Sequence, residues 1–143
     1  MIRYLNGNIF DSKMETIVNP VNCVGVMGKG LALEFKKRYP VLFIAYKTAC
    51  DRNLIKPGRV YISNQPDKKI MFFPTKDHWQ NPSRYDYIEQ GLAYFADHYK
   101  ELKITSCAFP RIGCGCGGLE WSKVKALIVK YLSHLDIEIE IYE

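Results

Sequence analysis

The fold is decided by one stretch of the chain, Glu15-Thr16-Ile17-Val18-Asn19-Pro20-Val21-Asn22-Cys23-Val24-Gly25-Val26-Met27-Gly28-Lys29-Gly30. Its β-branched start predicts a buried strand over Glu15–Asn19 that stops at Pro20. Gly25–Gly30 predicts a loop, and the apolar spacing after it predicts a helix that reaches Tyr39. Glycines let a backbone approach a ligand closely, and the unpaired N–H groups at a helix start suit an anion. Taken alone, such a loop is better explained as a tight structural turn.

A second loop of the same kind lies near the other end of the chain, at Gly113-Cys114-Gly115-Cys116-Gly117-Gly118. It follows an apolar strand predicted over Ile104–Phe109 and precedes a helix predicted over Trp121–Leu132. So many glycines are costly in conformational entropy, which favours a loop that lies against a ligand. Two such loops predict two walls around a diphosphate. Cys114 and Cys116 lack further ligands at metal-binding spacing, so no metal is expected.

The rest of the chain alternates between strand and helix patterns. Further strands are predicted at Ile2–Tyr4, Gly58–Ile62, Lys69–Phe73 and Asp136–Tyr142, the last with one face in water. Further helices are predicted after Pro40 and after Ser83, with Ser83 as an N-cap. This order predicts one α/β domain over residues 1–143, with helices on both sheet faces. Ligands of such sheets bind beyond the carboxyl ends of the strands, where both glycine-rich loops fall.

Composition excludes some classes of protein. The chain has 48% hydrophobic and 24% charged residues, as soluble globular domains do, and a net charge of +5 that permits a phosphate-rich partner. It has no apolar run of the roughly 20 residues that span a bilayer, and no signal-peptide core at its start. Its five cysteines suggest no disulfide framework. We therefore expect a cytoplasmic protein with no membrane partner.

Several polar residues follow predicted strands and are candidates for chemistry. Asn19 and Asn22 could bond ribose hydroxyls or cap the strand end, and capping is favoured for Asn19 and ligand contact for Asn22. Lys76 follows an apolar strand through Pro74-Thr75. An amine that loses part of its hydration there could attack a sugar carbon or stabilise developing charge.

The segment after Lys76 suggests contact with nucleic acid. His78, Trp79 and Arg84 lie together in it. A tryptophan and an arginine near a basic loop can stack on bases and contact phosphates. For Trp79, a position covering the hydrophobic core is about as well supported by the sequence as contact with nucleic acid.

Four motifs in order resemble the macrodomain family: Gly7-Asn8-Ile9, Asn19–Ala32, Phe73-Pro74-Thr75-Lys76 and Pro110-Arg111-Ile112-Gly113-Cys114-Gly115. The similarity runs along nearly the whole chain. It is greatest to the branch that holds the terminal ADP-ribose protein glycohydrolase and the DNA ADP-ribosyl glycohydrolase antitoxins. The resemblance implies a three-layer α/β/α fold with a mixed, mostly parallel sheet, and an enzyme that needs no cofactor.

The resemblance also implies a role for individual residues. Lys76 would be catalytic, and Asn22 would approach the distal ribose. Asn8, Ile9 and Tyr142 would lie near the adenine. The remaining contacts to ADP-ribose would come from Asn19, Met27, Gly28, Lys29, Gly30, Thr75, Gly113, Cys114, Gly115, Cys116, Gly117 and Gly118.

Two departures from the family pattern bear on the substrate. Most macrodomains have an Asp where this chain has Asn8, which softens selectivity for adenine. The protein glycohydrolase has a catalytic Asp at the place taken in this chain by Gly117 or, next to it, by Gly118, and the antitoxins lack it. The resemblance thus implies a monomer that removes ADP-ribose from thymidine in single-stranded DNA, with an ADP-ribosyltransferase toxin as partner. Protein carboxylate esters, ADP-ribose 1″-phosphate, or binding without turnover are the alternatives.

Overall fold

The chain forms six strands and four α-helices in a computed structural model that describes residues 1–143. The strands are β1 (Ile2–Leu5), β2 (Thr16–Val21), β3 (Tyr61–Asn64), β4 (Lys69–Pro74), β5 (Ser106–Phe109) and β6 (Glu138–Tyr142). The helices are α1 (Gly30–Arg38), α2 (Pro40–Asp51), α3 (Tyr85–His98) and α4 (Trp121–Leu132). A short 3-10 helix, Ile9–Asp11, follows β1. No helix has the length and apolarity that a membrane crossing requires.

The six strands form a single sheet in the order β1-β6-β5-β2-β4-β3. All neighbouring pairs are parallel except β3 and β4, which are antiparallel. The prediction of a mixed, mostly parallel sheet is therefore confirmed. Because β5, β2 and β4 are parallel neighbours, their carboxyl ends meet at one edge, and the segments that follow them share that edge.

Side chains from successive strand residues enter two separate cores. Val18 and Phe73 point to the core beneath α3 and α4, where Phe95, Phe109 and Ile128 are fully buried. Ile17 and Phe72, one residue earlier on the same strands, point to the core beneath α1 and α2. The sheet is thus covered by helices on both faces, which confirms the three-layer α/β/α prediction.

Pro20 does not end its strand, contrary to the sequence prediction. β2 continues through Pro20 to Val21. The main-chain oxygen of Val21 accepts from the N–H of Thr75 on the β4 side, and adjacent peptide groups point to opposite sides of a strand. Pro20 therefore faces the β5 side, where the pairing stops at Ile17. Proline has no N–H to donate, but on this side β2 has no paired strand at Pro20, so no hydrogen bond of the sheet is lost.

The prediction of a water-exposed face on β6 is right for Glu138, which is exposed, and wrong for Glu140. Glu140 is only 6% exposed. Its carboxylate accepts from the Ser12 hydroxyl at 2.7 Å and from the Arg3 guanidinium at 3.2 Å. The carboxylate tolerates burial because it is paired and hydrogen-bonded, and an alternating pattern cannot reveal such partners.

The third and last strands also start later than predicted, and Ser83 is not an N-cap. β3 begins at Tyr61 and β6 at Glu138. The helix after Ser83 begins at Tyr85, with Arg84 at the cap position. The Ser83 hydroxyl instead donates to the Thr75 hydroxyl, and this tertiary bond replaces the local one.

Candidate functional site

A cleft of about 620 Å³ lies beyond the carboxyl ends of β5, β2 and β4. The residues that follow these strands and the two glycine-rich loops form its walls. Twelve of the residues singled out from the sequence line it: Asn22, Gly28, Lys29, Gly30, Thr75, Lys76, Trp79, Gly113, Cys114, Gly115, Cys116 and Gly117. A cleft of this size suits a ligand as large as a nucleotide.

The first glycine-rich loop, Gly25–Gly30, leads directly into α1. Gly30 is the first helical residue and has a φ of +56°, a conformation that glycine adopts without strain. Lys29 caps the helix without any side-chain hydrogen bond to the first turn. The N–H groups of this turn remain free for an anion, and the helix dipole favours negative charge there.

Asn22 uses most of its carboxamide to brace the first glycine-rich loop. Its Oδ1 accepts from the N–H of Val24 at 3.1 Å and from the Tyr46 hydroxyl at 2.9 Å, and its Nδ2 donates to the Val26 carbonyl at 2.8 Å. These bonds fix which end of the carboxamide is oxygen. The second hydrogen on Nδ2 is left as the one polar group that Asn22 can offer a ligand.

Asn19 makes none of the capping bonds that its position suggests. It is 0% exposed, and neither its Nδ2 nor its Oδ1 has a hydrogen-bond partner. The interpretation that Asn19 caps the strand end was wrong, because Asn22 makes the turn bonds instead. Asn19 is not among the residues that line the cleft.

The second glycine-rich loop, Gly113–Gly118, packs against the segment that follows β4. The N–H of Ser83 donates to the Gly117 carbonyl at 3.0 Å. A Cβ added at Gly117 would collide with the Ser83 Oγ and the Gly113 main-chain oxygen. A side chain is therefore excluded at Gly117, whereas a Cβ at the neighbouring Gly118 would meet nothing within 4 Å. The loop also faces the first one, since a Cβ at Gly30 would lie 3.8 Å from the Cys116 Sγ.

Lys76 is held at the centre of the cleft edge by main-chain bonds on both sides of it. The N–H of Thr75 donates to the Val21 carbonyl, and the N–H of Cys23 donates to the Asp77 carbonyl, each at 3.0 Å. The parallel pairing of β2 and β4 thus continues past both strand ends. Lys76 is half-buried and lines the cleft.

A tight turn over Asp77–Asn81 presents Trp79 at the rim of the cleft. The Asp77 carboxylate accepts from the N–H of His78 at 2.8 Å and from the Asn81 side chain at 2.9 Å. These donors, first the Asn81 amide and then the His78 N–H, lower the pKa of Asp77. The His78 ring stacks on Trp79 with centroids 5.6 Å apart. Trp79 remains 47% exposed, so it does not cover the core.

Arg84 and His78 lie outside the cleft lining. The Arg84 guanidinium forms two bonds to the Asp86 carboxylate, at 2.9 and 2.8 Å. Both groups are well exposed, so this pair contributes little to stability. The ion pair nevertheless occupies the Arg84 guanidinium. His78 contacts Trp79 by stacking on its ring.

Every fixed charge on the cleft lining is positive. Lys29, Lys76 and Arg111 line it, and the lining includes no Asp or Glu. None of these three side chains has an ion-pair partner in the protein. The Arg111 guanidinium lies 5.6 Å from the centre of the Trp121 ring. The cleft therefore offers unpaired cations and main-chain donors, which suits an anionic ligand.

The residues expected at the adenine lie together at the edge formed by β1 and β6, outside the cleft lining. Tyr142 pairs with Leu5 at the strand ends, and Ile9 is buried in the same core that Tyr142 contacts. The Asn8 Oδ1 accepts from the N–H of Phe10 at 3.0 Å and so caps the 3-10 helix. Its Nδ2 remains without a partner within the protein.

Two further predicted contacts also lie outside the lining. Met27 is only 2% exposed and packs into the core beneath α1 and α2. Gly118 has a φ of +79° and open space where a Cβ would stand. Gly118 therefore serves the turn of the loop, and Met27 anchors the other loop to the core.

Eight lining residues were not predicted from the sequence to belong to the site. They are Pro20, Val21, Val26, Leu31, Ala32, Ser83, Pro110 and Arg111. Pro110 and Arg111 directly follow β5, so the rule that placed Lys76 after β4 could have found them. Ser83 had no such signal, because its place in the cleft depends on contacts with distant parts of the chain.

The cysteines differ in their access to solvent. Burial raises the pKa of Cys23 to about 12, and it also raises the pKa of the Cys50, Cys107 and Cys114 thiols. Cys116 alone is exposed, and it lies in the cleft lining. The cleft lining therefore contains one exposed thiol, Cys116, and one partly buried thiol, Cys114.

The structure is an α/β/α domain, with a mixed six-stranded sheet between two pairs of helices. Its two glycine-rich loops face each other across the strand ends and form a cleft whose lining suits an anion. The Macro domain family matches residues 18–128. The chain belongs to this family.

Proteins similar to this chain include a DNA ADP-ribosyl glycohydrolase from Thermus aquaticus, 42% identical over 100% of this chain and 41% of that protein. The solved macrodomain of Mycobacterium tuberculosis DarG is 44% identical, with a TM-score of 0.95, over 99% of this chain and 97% of that one. Thermosipho africanus DarTG in complex with ADP-ribose is 37% identical, with a TM-score of 0.95, over 99% of this chain and 41% of that one. The chain thus spans about two fifths of the length of the DNA ADP-ribosyl glycohydrolases that it resembles.

Proposed function

We propose that this macrodomain is a hydrolase that removes ADP-ribose from a modified base, thymidine, in single-stranded DNA. The observation that carries the proposal is the position of Lys76, an unpaired lysine at the strand end, in a cleft whose fixed charges are all positive. The name of the Thermus aquaticus relative and the ADP-ribose complex of the Thermosipho africanus relative support it.

The two glycine-rich loops are suited to hold the diphosphate of ADP-ribose between them. The free N–H groups at the start of α1 lie on one side, and the loop that contains Gly115 and Cys116 lies on the other. Main-chain donors and the helix dipole bind phosphate oxygens without needing a fixed counter-ion. In this position the adenine reaches toward Asn8 and Tyr142, and the distal ribose lies near Asn22 and Lys76.

The reaction replaces one bond at the distal ribose with another. A water oxygen bonds to the anomeric carbon as the bond from that carbon to the base breaks. The electron pair of the broken bond leaves with the base, and the proton lost by the water ends on the base. Lys76 is placed either to stabilise the charge on the departing base or, as a free amine, to bond the anomeric carbon before water displaces it.

The lining of the second loop favours DNA over protein as the substrate. The space beside Gly117 is filled by Ser83 and the Gly113 carbonyl, so a carboxylate cannot stand there to activate water. The site therefore depends on Lys76, as the antitoxin branch of the family does. Trp79, supported by His78, offers an exposed face on which a base can stack beside the cleft.

The same proposal implies the partners of the protein. The modified strand is its macromolecular partner, and the enzyme that modifies the strand, an ADP-ribosyltransferase toxin, is its functional counterpart. We propose that the domain acts as a monomer in the cytoplasm, where single-stranded DNA is made.

The test is release of ADP-ribose from a modified single-stranded oligonucleotide, measured for the wild type, Lys76→Ala and Lys100→Ala. Lys100 is an exposed lysine that follows α3, away from the cleft. We expect Lys76→Ala to lose at least about 100-fold in rate and Lys100→Ala to match the wild type. Equal activity of Lys76→Ala and the wild type would remove Lys76 from the mechanism.

The same assay is run on ADP-ribosylated protein carboxylates and on ADP-ribose 1″-phosphate. We expect the DNA substrate to be hydrolysed fastest. A large preference for the phosphate ester or the protein ester overturns the DNA assignment. Tight binding of ADP-ribose with no product from any substrate identifies a binding module instead. Borohydride reduction during turnover separates the two roles of Lys76, because only the covalent route leaves a reducible adduct.

A further inference from the structure

Two buried hydroxyls form a pair immediately beside Lys76. The Ser83 Oγ and the Thr75 Oγ1 lie 3.2 Å apart, and the two residues are 4% and 3% exposed. Both nevertheless line the cleft. Thr75 directly precedes Lys76, so the pair lies at the same strand end as the lysine.

The pair has one more donor than it uses. Two hydroxyls carry two protons, and their mutual bond takes one of them. Neither hydroxyl has another hydrogen-bond partner in the protein. Whichever hydroxyl donates within the pair, one proton is left, and the cleft is the open space that both residues share.

The pair is held in place by the main chain on both sides. The N–H of Ser83 donates to the Gly117 carbonyl at 3.0 Å, and the N–H of Arg84 donates to the Thr75 carbonyl at 3.1 Å. Thr75 is joined in turn to Val21 at the end of β2. The hydroxyls are thus fixed relative to both the Lys76 strand end and the second glycine-rich loop, as a preorganised donor requires.

We propose that the Thr75–Ser83 hydroxyl pair donates a hydrogen bond to the departing base, and that Ser83 is the positioning residue that orients the Thr75 hydroxyl. This inference rests on the proposed function. A thymine that leaves with the electron pair spreads negative charge onto its carbonyl oxygens, and a fixed neutral donor at the strand end that carries Lys76 stabilises that charge. The pair thus selects leaving groups that carry an oxygen acceptor next to the scissile bond.

The test compares Thr75→Val, Ser83→Ala and the double variant on modified single-stranded DNA. Both substitutions remove a hydroxyl while keeping the main-chain bonds. We expect each single variant to lose at least about tenfold in kcat, with the dissociation constant of ADP-ribose changed less than about twofold. The double variant should lose no more than the worse single variant, because the two hydroxyls act as one unit. The control is Ser106→Ala, whose hydroxyl accepts from the N–H of Glu15 at the opposite edge of the sheet.

A second substrate separates leaving-group assistance from a structural role. ADP-ribose joined through its anomeric oxygen to 4-nitrophenol has a leaving group that needs little assistance. We expect the loss in kcat on this substrate to fall below about threefold in the same variants. An equal loss on both substrates, or a parallel loss of ADP-ribose binding, overturns the inference.

The inference and the proposed function fail in different ways. If the wild type hydrolyses the modified DNA and Thr75→Val hydrolyses it at the same rate, the inference alone is overturned. A wild type that cleaves the nitrophenyl compound and leaves the DNA intact overturns the proposed substrate, and the inference with it.

Discussion

The hydroxyl of Tyr46 lies 2.7 Å from the main-chain oxygen of Asn22 and 2.9 Å from its side-chain oxygen. Tyr46 is on α2, and its ring is buried in the core beneath that helix. Burial raises the pKa of Tyr46 above its ordinary value, so the hydroxyl keeps its proton and remains a donor. The helix thereby fixes the orientation of a carboxamide in the wall of the cleft.

Tyr46→Phe should weaken ADP-ribose binding about fivefold, measured by titration calorimetry. The substitution removes one buried hydrogen bond, worth about 1 kcal/mol net, and lets the Asn22 carboxamide rotate. Tyr131→Phe is the matched control, because its hydroxyl bonds to Glu89 on the other face of the sheet. Unchanged affinity in Tyr46→Phe would show that the loop holds Asn22 without this hydroxyl.

Gly117→Ala should destabilise the domain by about 1–3 kcal/mol, measured by thermal or urea unfolding. The added Cβ collides with the Ser83 Oγ and the Gly113 carbonyl, and the backbone carbonyl cannot move aside cheaply. Gly115→Ala in the same loop is the control, since a Cβ there meets nothing within 4 Å. Equal stability of the two variants would contradict the contact geometry of the loop.

Cys116 should be alkylated before the other four cysteines at pH 8, and ADP-ribose should slow its alkylation. The thiolate is the reactive form, and burial keeps the Cys23 pKa near 12, so that thiol stays protonated at this pH. Peptide mapping after timed treatment with iodoacetamide measures each site within one sample. Alkylation of Cys116 at the same rate with saturating ADP-ribose would exclude the cleft as the binding site.

Trp79→Ala should raise the KM for modified single-stranded DNA by roughly 5- to 100-fold, as loss of a base-stacking surface does. Binding of free ADP-ribose should change much less, because the turn that carries Trp79 is at the rim. Trp79→Phe keeps an aromatic face and should recover most of the affinity. If KM for DNA rises and affinity for ADP-ribose falls to the same extent, Trp79 contacts the nucleotide and not the strand.

The sequence was most informative where the signal is local. Gly30 begins a helix after a strand, and Lys76 follows an apolar strand, so both could be placed at one edge of the sheet before any contact was known. Trp121–Leu132 could be assigned with correct ends because its apolar spacing is regular.

The sequence was misleading where a distant partner decides the outcome. Pro20 stays in β2 because the pairing of β2 with β5 has already ended at Ile17. Glu140 is buried because Ser12 and Arg3, which are far from it in sequence, bind its carboxylate. Ser83 looked like a helix cap, yet its hydroxyl is used by Thr75. None of these partners is close in sequence, so no local pattern predicts them.

Because every charged side chain that lines the cleft is positive, the cleft should bind the product of the reaction as well as the substrate. ADP-ribose keeps both of its phosphates after hydrolysis, and the donors that held them do not change when the base departs. Much of the binding free energy is therefore retained by the product. Free ADP-ribose should therefore compete with each new substrate, and inhibition by the product should slow the reaction as ADP-ribose accumulates.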